Sequence, residues 1–136
     1  DYNMAMILAT GVDLIEIDRF ANIRPELLRR FLARVFTPGE LREAGDSHPS
    51  LAGIYAAKEA VAKALGTGIG EITWQEIEIS KSPSGEPHVQ LHGKADKIAQ
   101  LRGLSHWSVS ISHSKTHAVA VAVAVAAGVR LPKVWF

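Results

Sequence analysis

The 136-residue chain contains no cysteine. That excludes a disulfide framework, a thiolate metal site and a thiol nucleophile, and it fits a reducing compartment. An excess of charge of one sign is missing too. The 15 Lys and Arg against 14 Asp and Glu leave a formal net charge of +1, which removes any case for bulk nucleic-acid binding, although basic residues can still cluster locally. No apolar run is long enough to span a bilayer. The longest, Ala118 to Val129, alternates Ala with Val as a strand does. The start lacks a charged segment followed by an apolar one, so no secretion signal is read and a cytoplasmic protein is expected. Asp1-Tyr2-Asn3 ahead of Met4 and Met6 reads as a cloning leftover, with residues 1–5 as an unstructured start. Internal repeats, low-complexity tracts and linkers are absent, which predicts one domain over 1–136 with a real core.

Ile7 to Ile17 has the length and β-branched content of a strand, and apolar residues of both parities predict burial on both faces. Gly11 marks a bulge or a close backbone approach. Asp13 is the exception in that run. A carboxylate there must be paired, hydrogen-bonded or bound to a cation, because an isolated buried charge is very costly. On the residues alone, a structural role and a functional one stand about even. Pro25 suits the first turn of a helix whose core stripe is Leu28, Phe31, Leu32 and Val35. Arg29, Arg30 and Arg34 project elsewhere, with Arg19 and Arg24 upstream. Such a face is usually just solvated, but the arginine excess tilts it towards docking an acidic partner. Thr37-Pro38-Gly39-Glu40 is a capping box that opens a short helix to about Gly45.

Ile72 to Ser80 and His88 to His92 predict a hairpin around Ser82–Pro87, with His88, Gln90 and His92 on the wet face rather than on a metal. Lys94 to Leu101 predicts a helix with Ala95, Ile98, Ala99 and Leu101 inward. A second hairpin pairs Trp107–His113 with Ala118–Val125, whose alanines share one face and valines the other. An all-alanine face wants a close neighbour, either a helix or another chain. The aromatic tail Val129–Phe136 suggests docking somewhere. The order β–α–α–α–ββ–α–ββ is α+β, with antiparallel hairpins packed on a long central helix.

That helix runs to a Gly66-Thr67-Gly68 stop. Ile54, Ala57, Val61 and Leu65 form its apolar stripe, and Ala52, Ala56, Glu59 and Lys63 lie opposite. A lone carboxylate and a lone ammonium flanked by alanines leave room for a ligand. The same spacing equally describes a solvated i,i+4 pair worth only about 0.2–0.5 kcal/mol.

Three pieces then align: Gly11-Val12-Asp13-Leu14-Ile15-Glu16-Ile17, Lys58-Glu59-Ala60-Val61-Ala62-Lys63-Ala64-Leu65-Gly66-Thr67-Gly68, and Ser110-Ile111-Ser112-His113-Ser114. In this order and spacing the chain, from about Ile7 to Val125, resembles the holo-[acyl-carrier-protein] synthase family, the short single-lobe branch of the 4′-phosphopantetheinyl transferases. Each motif alone is weak, and the three together are specific. The resemblance implies transfer of phosphopantetheine from coenzyme A to a serine of apo acyl carrier protein in fatty-acid biosynthesis, with release of adenosine 3′,5′-bisphosphate. It implies Asp13 and Glu59 as Mg²⁺ carboxylates, a set that suits the ion, Glu59 as general base and Lys63 as a phosphate contact. Lys58, Gly66, Thr67, Gly68, Ser112 and His113 would line the coenzyme A site. Arg19, and more loosely Arg24, Arg29, Arg30 and Arg34, would dock the acidic carrier. Homotrimers with active sites between chains are implied as well.

One departure stands out. The family commonly reads Arg-Phe-Ala-x-Lys-Glu, and this chain reads Ile54-Tyr55-Ala56-Ala57-Lys58-Glu59. The arginine's phosphate contact is expected to be weakened or rerouted through Lys58 or Lys115. Two other readings stay open: a metal-dependent hydrolase of a nucleotide diphosphate, and a non-catalytic module that binds coenzyme A or a carrier protein.

Overall fold

The computed structural model describes residues 7–126; the expectations placed on 1–5 and on the tail 129–136 lie outside them. Strand β1 (Leu8–Glu16) is followed by a single helical turn α1 (Asp18–Ala21), then α2 (Pro25–Val35), α3 (Pro38–Ala44) and the long α4 (His48–Leu65). A 3-10 turn (Trp74–Glu76) leads into β2 (Ile77–Lys81) and β3 (Pro87–Leu91), and α5 (Gly93–Leu101), β4 (Leu104–His113) and β5 (His117–Ala126) complete the chain. The expected order holds, with two additions. A short α1 sits where the chain leaves β1, and β2 begins at Ile77 because Trp74–Glu76 coils under its own capping box at Thr73.

Two antiparallel sheets form: β1-β5-β4, with β5 in the centre, and the β2–β3 hairpin. The close neighbour of the alanine face is α4. Ala118, Ala120, Ala122 and Ala124 are fully enclosed, and α4 lies across β1 and β5. Small residues let the helix approach closely. At Gly11 a Cβ would run into the carbonyl oxygen of Ala60 and lie 2.9 Å from the Ala64 nitrogen, so the glycine marks a close backbone approach.

Three expectations are corrected. β1 is buried on one face only: Ala9, Gly11 and Ile15 turn to α4, while Leu8, Val12 and Leu14 are 61%, 55% and 65% exposed. The face they share with Val121 of β5 is uncovered, since α4 occupies only the alanine side. α4 is not two-sided either. Ala52 and Ala56 are enclosed like the apolar stripe, so they are core rather than clearance for a ligand, as expected of a helix that is apolar nearly all round. Leu101 points outward, 88% exposed, because it falls in the last turn of α5 beyond the buried Ala95 and Ala99.

Lys58 is the unexpected core residue. Its ammonium is fully enclosed and meets Glu40 Oε1 at 2.8 Å, the Ile77 carbonyl at 2.6 Å and the Trp74 carbonyl at 3.0 Å. Glu40 in turn accepts from the Thr37 amide at 2.9 Å and the Ile79 amide at 2.7 Å. Burial pushes the Lys58 pKa below the lysine value, and Glu40 beside it pulls the other way. The capping box is therefore half of a buried network that joins α3, α4 and β2. Removing one member strands the other charge, a loss of about 3–5 kcal/mol. Lys58→Met should therefore lower the stability measured by urea unfolding by about that amount, and adding Glu40→Leu should restore part of it.

Candidate functional site

β1 has a period of two, so Asp13 shares the helix-facing side with Gly11 and Ile15. On α4, Tyr55, Glu59 and Lys63 fall at i, i+4 and i+8, one ridge of the helix facing the same edge. Lys63 Nζ donates to the Val12 carbonyl at 2.8 Å and meets Asp13 Oδ1 at 3.2 Å, with the Asp13 side chain only 16% exposed. Tyr55 is held by rings on three sides, with centroids 4.8 Å from Trp74, 5.9 Å from Phe31 and 6.1 Å from Phe20.

The corner is electrostatically strained. Burial pushes the Glu59 pKa above the ordinary carboxylate value and the Asp13 charge pushes it further, while Lys63 and Arg19 pull it down. The Tyr55 hydroxyl is raised by burial and by Glu59, with Arg19 opposing. Asp13, Glu59, Tyr55, Lys63 and Arg19 thus feel one another. Two converging carboxylates, one of them disfavoured as an anion, make a hard-oxygen donor pair that a divalent cation would relieve. Mg²⁺ suits such a pair, because it takes one or two protein carboxylates and completes its octahedron with water and phosphate oxygens. Among the described residues no third His, Asp or Glu joins them.

Gly66 closes α4 in the left-handed region at φ +82. Its amide and that of Thr67 donate back to the Ala62 carbonyl, at 3.1 and 3.3 Å. The turn therefore commits those amides to the helix end and encloses the Thr67 hydroxyl beside them. That oxygen is buried and has no hydrogen-bond partner among the described residues.

Lys58 leaves the candidate list. Buried against Glu40 and two carbonyls, it cannot reach a solvent-borne phosphate. Ser112 and His113 are exposed on β4, away from the carboxylates, and the His113 ring nitrogen Nδ1 lies 3.2 Å from the Ser114 carbonyl. His113 lines a 210 Å³ hollow with Ser50, Ile54, Lys81 and Pro87, and with Ser112 and Leu14 a second of 290 Å³. Neither hollow includes Asp13, Glu59 or Lys63. Of the arginines, Arg19 reaches the carboxylate corner electrostatically. Arg24 pairs loosely with Glu26 at 3.5 Å in solvent, and Arg29, Arg30 and Arg34 are exposed along α2.

Sequence reading overlooked Tyr55 and Lys81. The i,i+4 spacing to Glu59 could have found Tyr55. Nothing local announces Lys81, which reaches the hollow because the β2–β3 hairpin folds beside α4.

Comparison with known proteins gives a consistent result. A family model described as 4′-phosphopantetheinyl transferase superfamily matches residues 9–123. The chain is 47% identical over 117 residues to a holo-[acyl-carrier-protein] synthase of Alkaliphilus metalliredigens, covering 84% of this chain and 95% of that protein. It is 46% identical over 120 residues to that of Herpetosiphon aurantiacus, covering 83% and 94%. Among solved structures, Helicobacter pylori holo-[acyl-carrier-protein] synthase in complex with coenzyme A aligns at TM-score 0.77 and 34% identity, over 85% of this chain and 98% of that one. A Plasmodium yoelii acyl carrier protein synthase with ADP bound aligns at TM-score 0.80 and 30% identity, over 91% and 99%.

The strain in the carboxylate pair has a measurable sign. Glu59→Gln removes a charge that folding disfavours, so the metal-free protein should be stabilised at neutral pH, by up to about 1 kcal/mol given the solvent that reaches the pair. The raised pKa places this gain above the folded-state value. It should vanish as pH falls below the unfolded value, where the carboxyl is protonated in both states. Thermal unfolding of the two proteins between pH 4 and pH 8 checks it.

Proposed function

The chain belongs to the 4′-phosphopantetheinyl transferase superfamily, and we propose that the corner of Asp13, Glu59 and Lys63 is where its transfer takes place. The protein is an enzyme that moves phosphopantetheine from coenzyme A to apo acyl carrier protein. The observation that carries the site is the convergence of two mutually repelling carboxylates on a sheet edge beside a solvent-facing lysine.

In this reading Asp13 and Glu59 hold Mg²⁺, which when bound neutralises charge on the coenzyme A diphosphate. Glu59, with its pKa displaced upward, is suited to accept the proton of the carrier serine. The serine oxygen bonds to the phosphorus that carries the pantetheine arm. The bond from that phosphorus to the bridging oxygen breaks, and adenosine 3′,5′-bisphosphate departs. Lys63, half exposed, swings from Asp13 to the phosphate oxygens as a point charge. Arg19, nearest the corner, leads the basic face on which the acidic carrier docks, with Arg24, Arg29, Arg30 and Arg34 extending it.

The coenzyme A site is completed between copies of the chain. Ser112, in line with Val119 and Leu14, lies on the uncovered face, and His113 borders the same hollow from the end of β4; neither shares a hollow with the carboxylate corner of its own chain. An exposed apolar sheet face of this kind is suited to a homo-oligomer, here a trimer. In the hollow beside Ile54, where relatives of the family commonly carry arginine, Ser50, Lys81 and His113 are the polar side chains that would meet the nucleotide. Among the described residues no helix is long and apolar enough to cross a membrane, and the reaction is proposed for the cytoplasm.

Incubation with coenzyme A, Mg²⁺ and an apo carrier protein should add one phosphopantetheine to the carrier by mass spectrometry, with chelation abolishing the gain. Glu59→Ala should slow transfer by about 10²–10⁴-fold, the usual worth of a general base. Free phosphopantetheine formed without any carrier would instead indicate hydrolysis. Leu14→Glu with Val121→Glu should reduce the particle mass seen by light scattering to one chain and should abolish transfer. A monomeric variant with full activity would overturn the composite site.

A further inference from the structure

The turn Gly66–Gly68 sits at the wrong end of a helix for an anion. Aligned peptide dipoles leave about half a negative charge at a helix C-terminus, and the last carbonyls of α4 face that end. Four intrahelical carbonyls lack helical partners there. Those of Ala62 and Lys63 receive the amides of Gly66 and Thr67. Those of Ala64 and Leu65 are met by Arg102, from just beyond α5, whose Nη1 donates at 2.9 and 2.6 Å. The guanidinium lies directly beside the turn, since a Cβ on Gly66 would stand 3.2 Å from Nη1. Both bonds use one nitrogen of three, and the residue is exposed. Next to it the buried Thr67 hydroxyl lacks a partner among the described residues.

We propose that Arg102 is a positioning residue for coenzyme A: by covering the Ala64 and Leu65 carbonyls it turns the negative end of α4 into a surface that accepts the diphosphate beside Thr67. The inference rests on the reading of the Gly66–Gly68 turn as part of the coenzyme A site. Arginine is suited to the task because its charge is permanent and its Nη1 alone meets both carbonyls, leaving its other donors toward the turn and solvent. Without it, two bare carbonyl oxygens would face the phosphates.

The test is steady-state transfer by the full chain, with coenzyme A and apo carrier varied separately, for the parent, Arg102→Gln and Arg102→Lys. Arg102→Gln should raise KM for coenzyme A about 3–10-fold, the range of one charge acting at a helix terminus, with kcat within about twofold and KM for the carrier unchanged. Arg102→Lys, which keeps the charge, should recover most of the loss. Raising the salt concentration should narrow the gap between parent and Arg102→Gln. A fall in kcat at constant KM, an equal rise in both KM values, or a lower thermal midpoint with unchanged constants would each overturn the proposal and leave Arg102 a plain helix cap. Absence of transfer by the parent would overturn instead the reading of the site on which the inference stands.

Discussion

The Lys58–Glu40 ion pair fixes how the central helix is turned. A fully enclosed ammonium must reach acceptors, and those on offer come from α3, from the 3-10 turn and from the first residue of β2. Buried pairs seldom add stability over good apolar packing. What this one adds is orientation: with Lys58 anchored inward, the next residue on the helix, Glu59, is rotated by about 100° to the edge of the sheet. The neighbouring residues Lys58 and Glu59 thus have opposite tasks, one holding the helix and the other presenting a carboxylate.

The carboxylate corner illustrates the opposite economy. Burial, and after it the charge of Asp13, disfavours Glu59 as an anion, and Tyr55, wedged among Phe20, Phe31 and Trp74, offers no opposite charge. Lys63 and Arg19 pull the other way without reversing the shift. Perturbed groups of this kind collect where function demands them, and the family to which the chain belongs is one of transferases. Asp13 on β1 and His113 at the end of β4 lie on the helix-facing side of the sheet with β5 between them, and neither hollow beside His113 includes a carboxylate of the corner.

Much of this was legible from the residues. Strand and helix order followed from periodicity and from turn residues, and Asp13 stood out as a charge in an apolar run. The capping box Thr37–Glu40 was readable as a local motif, but its second use was not. Partnership with Lys58 is a contact across 18 residues of sequence that no pattern encodes, so Lys58 looked like a ligand contact beside Glu59. Exposure of Leu14 and Val12 was hidden for a related reason. An apolar strand face reads the same whether α4 or another molecule covers it. Ala52 and Ala56 misled in the reverse direction, since small side chains signal close approach without saying what approaches.

The contact between Gly11 and the Ala60 carbonyl carries one more consequence. Asp13 lies two residues beyond that glycine on the same strand face, and Glu59 is the residue before Ala60. The depth to which β1 settles on α4 therefore sets the gap between the two carboxylates. Any larger side chain in the seam of Gly11, Ala60 and the β5 alanines would widen that gap as it widened the core. Core packing and the spacing of the two carboxylates thus share a single mechanical coordinate, so a substitution in this seam cannot alter the one and leave the other in place.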